Sequence, residues 1–157
     1  MIKKLHMIWI VCGIVVLLSG LAHGKTYKKE VVENPQEGSA EWIIMKMIEA
    51  CSKDDFDTFY QNYCHEDLCF DTPKNQADLK TYSWKRCVKW SGTETGYSYF
   101  VDKDKMTFKV MYTTPRDFTD DLTQIKFFIH SSKRDNPVPI ILKKDKDGKW
   151  KVYNFSL

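Results

Sequence analysis

Residues 124–157 read QIKFFIHSSKRDNPVPIILKKDKDGKWKVYNFSL, and the period of their apolar positions decides the fold. Ile125, Phe127 and Ile129 alternate with Lys126, Phe128 and His130. Val138, Ile140 and Leu142 follow Asn136-Pro137, a dipeptide that suggests a turn. Trp150 and Val152 resume the alternation after Asp147-Gly148, a strong hairpin signal. Immediately upstream, Met106, Phe108, Val110 and Tyr112 alternate with Thr107, Lys109, Met111 and Thr113. A period of two puts one set of side chains on a single face, so each run has a face to bury. The expected framework is a curled antiparallel sheet with an apolar cover.

That cover is expected from the middle of the chain. Ser39 reads as a helix N-cap, and Trp42, Ile43, Met45, Met47, Ile48 and Cys51 form an apolar stripe behind it. Phe56, Phe59, Tyr60 and Tyr63 recur at helical spacing, which predicts a second helix over Asp54–Cys64. His65 lies beside two acids at its end and suits a surface cap or a partner for the helix dipole. Leu68 to Pro73 reads as a turn with Pro73 as a helix stop. Asn75 to Trp90 fits a helix better than a strand, and Tyr97 to Val101 reads as a short aromatic strand. The fold class is α+β, with N-terminal helices on an antiparallel sheet.

The N-terminus has a different character. Lys3 and Lys4 precede an almost unbroken apolar run from Met7 to Leu18, followed by Ser19, Gly20, Ala22 and Gly24. This is the layout of a secretory signal peptide over 1–24, with cleavage after Gly24 or after Ala22. The alternative is an uncleaved anchor helix, for which the run is near the short limit of about 17 residues. Residues 25–38 are polar and aperiodic and read as a flexible lead-in to a single domain over 39–157. The expected location is therefore periplasmic or secreted, with membrane contact only through an uncleaved leader.

Export makes the cysteines informative. Cys12 leaves with the leader, and Cys51, Cys64, Cys69 and Cys87 remain. An even count in an oxidising compartment predicts two disulfides, in any of three pairings. No C-x2-C pair is present, so a zinc site built from Cys64, His65, Cys69 and Cys87 is not expected. The formal charge is +3, and setting aside Lys3 and Lys4 leaves 22 basic against 21 acidic residues. A nucleic-acid partner would need a basic stripe that this balance does not suggest. The lysines at 143, 144, 146, 149 and 151 are diluted by Asp145 and Asp147, and read as a solvated hairpin.

Two amphipathic helices followed by an antiparallel meander ending in Gly148-Lys149-Trp150-Lys151-Val152 resemble the nuclear transport factor 2-like, or SnoaL-like, superfamily of cystatin-like cone folds. Many exported bacterial members of that superfamily close on a similar Gly-x-Trp-x-Val strand. The resemblance implies a fold and a cone-shaped pocket that hosts either an enzyme or a binding site. Enzymatic members place Asp, His or Tyr inside the cone. Here His130 is the weak candidate for a base, with Asp117 or Asp120 as its orienter.

No nucleophile elbow, phosphate-cradling Gly loop or H-E-x-x-H motif is present. With 14% aromatic residues and no catalytic constellation, the expected function is binding. The exported domain would hold a small apolar ligand or an envelope protein through an aromatic-rich cone or sheet face. Tyr99, Phe128 and Tyr153 are the candidate ligand residues, with Phe100 and Phe155 beside them. No cofactor or metal is expected, and a homodimer across the open sheet face is compatible. The alternatives are a small hydrolase or dehydratase in the cone, and a structural component of an envelope assembly.

Overall fold

Each alternating run becomes a strand of one antiparallel sheet. The computed structural model describes residues 29–69, 73–91, 98–112, 122–132 and 134–156. The expected leader, Asp71, Asp117 and Asp120, and the side chain of Cys69, lie outside them. The elements in chain order are β1 (Lys29–Val32), α1 (Ala40–Ser52), α2 (Phe56–Asn62), α3 (Glu66–Cys69), α4 (Pro73–Asp78), a π-helical segment (Leu79–Trp84), α5 (Lys85–Ser91), β2 (Phe100–Asp102), β3 (Thr107–Tyr112), β4 (Gln124–Ser131), β5 (Arg134–Lys144) and β6 (Trp150–Phe155). The strand order is β1-β3-β4-β5-β6, with β2 paired to the start of β3. The α+β class is as the alternation requires: helices on one face of a curled, open sheet.

The lead-in holds a strand that the polar composition hides. Lys29–Val32 pairs antiparallel with β3, matching Lys29 to Met111 and Val32 to Phe108. Val32 is buried, and Glu30, on the same face, reaches the core rim. There the Tyr112 hydroxyl lies 2.7 Å from Glu30 Oε1 and 3.0 Å from Glu41 Oε1, so β1 and α1 meet on one phenol. Burial first, and then the two carboxylates, push the Tyr112 pKa far upward and keep it a neutral donor.

Asn136-Pro137 is a bulge and not a turn. β5 runs through it, and pairing passes from Ile129↔Val138 to Ser131↔Arg134, so β5 carries the extra residues. The actual reversal falls between Ser131, which ends β4, and Arg134, which opens β5. Pro139 turns its peptide toward the β6 side, where β6 is ending; the Ser156 N–H donates to its carbonyl at 3.2 Å. A proline is tolerated there because little of the neighbouring strand remains to need its N–H. A second bulge, between Ile141 and Leu142 in the β5–β6 register, makes Tyr153 the extra residue.

The helices also depart in detail from their periodicity. α2 starts at Phe56 because Asp55 caps it, accepting from the Thr58 N–H at 3.1 Å. Pro73 opens α4 instead of stopping a helix, a position that needs no N–H. His65 is buried rather than a surface cap, with 5% of its surface exposed. Its N–H donates to Val152 O at 2.8 Å, and Val152 N–H donates to Tyr63 O at 2.7 Å. Residues 63–65 thus cover the β6 edge, which would otherwise present unpaired groups. Lys151 Nζ also reaches Asn62 O.

The core lies between the helices and the inner face of the sheet. Phe108, Val110, Phe127, Ile129, Ile140 and Leu142 from the strands meet Ile44, Met47, Ile48 and Phe59 from the helices. These side chains fill the concave side of the sheet. Trp84 stacks on Phe59 with ring centroids 5.1 Å apart, and Phe59 meets Phe155 edge-on at 5.5 Å. The Trp84 indole N–H donates to Asp54 Oδ1 at 2.7 Å, so its polar end is satisfied at the rim. A Cys51–Cys87 disulfide with Cα atoms 5.8 Å apart staples α1 to α5. Among the described residues no helix is long and apolar enough to cross a membrane.

Candidate functional site

The alternation that buries one face of the sheet necessarily presents the other, which α3 meets only at the β6 end, through Asp67 and Lys143. Its register is explicit. Lys29 faces Met111, Met111 faces Phe128, and Phe128 faces Pro139. One step away Val31 faces Lys109. In the other direction Lys126 faces Ile141 and Ile141 faces Asn154; then Gln124 faces Lys143 and Lys143 faces Lys151. None of these outward pairs contains an Asp or Glu. The result is a half-buried apolar strip of Met111, Phe128, Pro139 and Ile141 within a frame of five lysines.

Two of those lysines lie over aromatic rings. Lys126 Nζ is 5.0 Å from the Phe128 centroid, and Lys143 Nζ is 3.4 Å from that of Tyr153. Such placement keeps the ammonium hydrated while its stem covers apolar surface. Lys143 and Lys151 are like charges directly opposite, which is unfavourable in itself. Lys143 is drawn off by the Tyr153 ring and by Asp67 Oδ2 at 3.8 Å, and Lys151 by the Asn62 carbonyl. Tyr153 is held on its far side by the buried His65 ring, edge-on at 5.8 Å.

His130 stands at the opposite end of this face. With Lys29, Val31 and Lys109 it borders a groove of about 450 Å³. Burial depresses its pKa, and the cations of Lys29 and Lys109 add to the shift. The imidazole is therefore held neutral. The charges that shift it are those of two lysines, although Glu30 also lines the groove; a general base in a His–carboxylate pair would have an acid as its orienter. Asp117 and Asp120 lie outside the described residues.

The three candidate ligand residues do not converge. Phe128 and Tyr153 share the outward face, on strands separated by β5. Tyr99 is on the inner side, 1% exposed, and Phe100 and Phe155 are buried with it. Sequence reasoning missed the lysine frame because Lys29, Lys109, Lys126 and Lys143 are far apart in the chain; only the strand register assembles them. It also missed Arg134 and Ser131, which face each other beside the β4–β5 turn. Among the described residues no group of three or more His, Cys, Asp or Glu could hold a metal ion. No family model, no curated protein and no solved structure matches this chain.

Proposed function

We propose that this is an exported, non-catalytic binding domain that docks an acidic-rimmed envelope protein on the open face of its sheet. The observation that supports it is the outward lattice itself: an apolar strip framed by lysines, with no acid among its paired positions. Apolar contact area with a ring of one charge sign is the layout of an interface core and its rim. A small apolar ligand would need a concave cavity, and the concave side here is filled by Phe127, Phe108, Met47 and their neighbours. The protein-partner form of the reading is therefore preferred over the small-ligand form.

Export is part of the reading. It is supported by the leader-like N-terminus and by the Cys51–Cys87 bond, which persists in oxidising compartments. The likeness to the nuclear transport factor 2-like superfamily also belongs here, carried by the α1–α2 pair and the closing strand through Trp150. The test is a photo-crosslinking residue placed at Phe128, in the chain expressed behind its own leader. The expected product is a discrete adduct with an envelope protein, lost when Lys109 and Lys126 are both changed to Glu. No adduct at Phe128 or Ile141, or one insensitive to charge reversal, would sink the proposal. An adduct between two copies would assign the face to a homodimer.

A further inference from the structure

A polar nook on the inner side, at the end of the sheet, is independent of that outward face. Three side-chain atoms there are buried and have no hydrogen-bond partner among the described residues: Tyr99 Oη, Ser131 Oγ and Arg134 Nη1. Buried polar groups in folded proteins are mostly paired, so each orphan calls for an explanation. They come together for structural reasons. Ser131 and Arg134 are cross-strand partners at the β4–β5 turn. The neighbour of Tyr99, Ser98, is tied to the same turn: its N–H donates to Ser132 Oγ at 2.9 Å, and its carbonyl accepts from Ser132 N–H at 2.8 Å. The Arg134 guanidinium approaches the Tyr99 hydroxyl without meeting full hydrogen-bond geometry, and that polar approach, then its charge, opposes the upward pKa shift that burial imposes on the phenol. The indole of Trp90 stands 5.2 Å from the guanidinium carbon and walls the nook on the α5 side.

All three orphans donate: a phenol O–H, a hydroxyl O–H and a guanidinium N–H. Three donors, one of them on a half-buried guanidinium, are the complement of a single oxyanion. Lys89 Nζ also lies over Trp90, at 4.9 Å, but Lys89 is exposed. The nook therefore balances one negative charge. We propose that Tyr99, Ser131 and Arg134 form a binding site for a small carboxylate, with Arg134 as counter-ion and the two hydroxyls fixing the second oxygen.

The test is a titration of the intact mature domain with acetate and benzoate, and separately with phosphate, followed by NMR of the Arg134 Nε–H and Trp90 indole N–H signals. The expected result is saturable shifts with a carboxylate. Affinity should fall about tenfold in Tyr99→Phe and in Ser131→Ala, each of which removes one hydrogen bond to a charged group. Arg134→Gln should abolish the response. If Arg134→Gln does not fold, the two hydroxyl variants still decide the matter. Shifts that never saturate, or that persist unchanged in both hydroxyl variants, would overturn the site. Saturation by phosphate without acetate or benzoate would overturn the carboxylate assignment.

Discussion

The two faces of one sheet are written in the same residues and behave as opposites. Phe127 and Phe128 are adjacent, yet Phe127 is fully buried against Tyr112, ring centroids 5.0 Å apart, while Phe128 lies half-exposed under Lys126. The inner face is closed by helices and stabilises the fold. The outer face is apolar where it could be charged and charged only at its frame. An aromatic on the outer face contributes less to folding than its neighbour on the inner one.

The sharpest way to break this comparison is to truncate both phenylalanines. Phe127→Ala should cost about 3–5 kcal/mol in urea unfolding, whereas Phe128→Ala should stay within roughly 0.5–1 kcal/mol. Equal losses would mean that the outer face is part of the core. The helical cover is next. Cys87→Ala should cost on the order of 2–4 kcal/mol through loss of the α1–α5 staple. Peptide mapping of the oxidised protein should give Cys51–Cys87. Any peptide joining Cys51 to Cys64 or Cys69 would contradict the packing of α1 on α5.

A smaller effect tests how β1 is held. Tyr112→Phe removes the donor between Glu30 and Glu41 and should cost about 1–3 kcal/mol, with early hydrogen exchange in β1. Unchanged exchange in β1 would show that strand pairing alone retains it. The smallest effect belongs to His130. Its folded pKa is below the ordinary 6.5, so between those values the unfolded chain binds more protons. Stability is therefore full above about pH 6.5 and declines as pH falls through that window. His130→Gln should flatten the decline, and a decline of equal depth in that variant would assign it to another group.

Much of the fold was legible because strands with one buried face must alternate, and those from β3 to β6 do. β1 was not. It has four residues, and a short edge strand is specified by its partner β3, which lies some eighty residues further on. Asn136-Pro137 misled because a proline in a strand is permitted only where its missing N–H has no strand to meet, and that depends on where β6 ends. The outward position of Phe128 followed from alternation, whereas Tyr153 is the extra residue of a bulge in β6. The position of Tyr99 did not follow from it, because β2 joins β3 through an irregular register that resets which side faces in. The lysine frame and the Tyr99–Ser131–Arg134 nook are assembled only by tertiary pairing.

The staple and the first strand together set an order of assembly. Cys51 and Cys87 are separated by 36 residues, and both precede β3 in the chain. The helical layer can thus be closed covalently while the sheet has no template. Lys29, the earliest described residue, must wait for Met111. The strand synthesised first is therefore among the last to dock, since the longest closure comes late when contacts are non-local. An oxidant withheld until the chain is complete should yield the same product more slowly, with β1 gaining protection after β4 and β5 in either case.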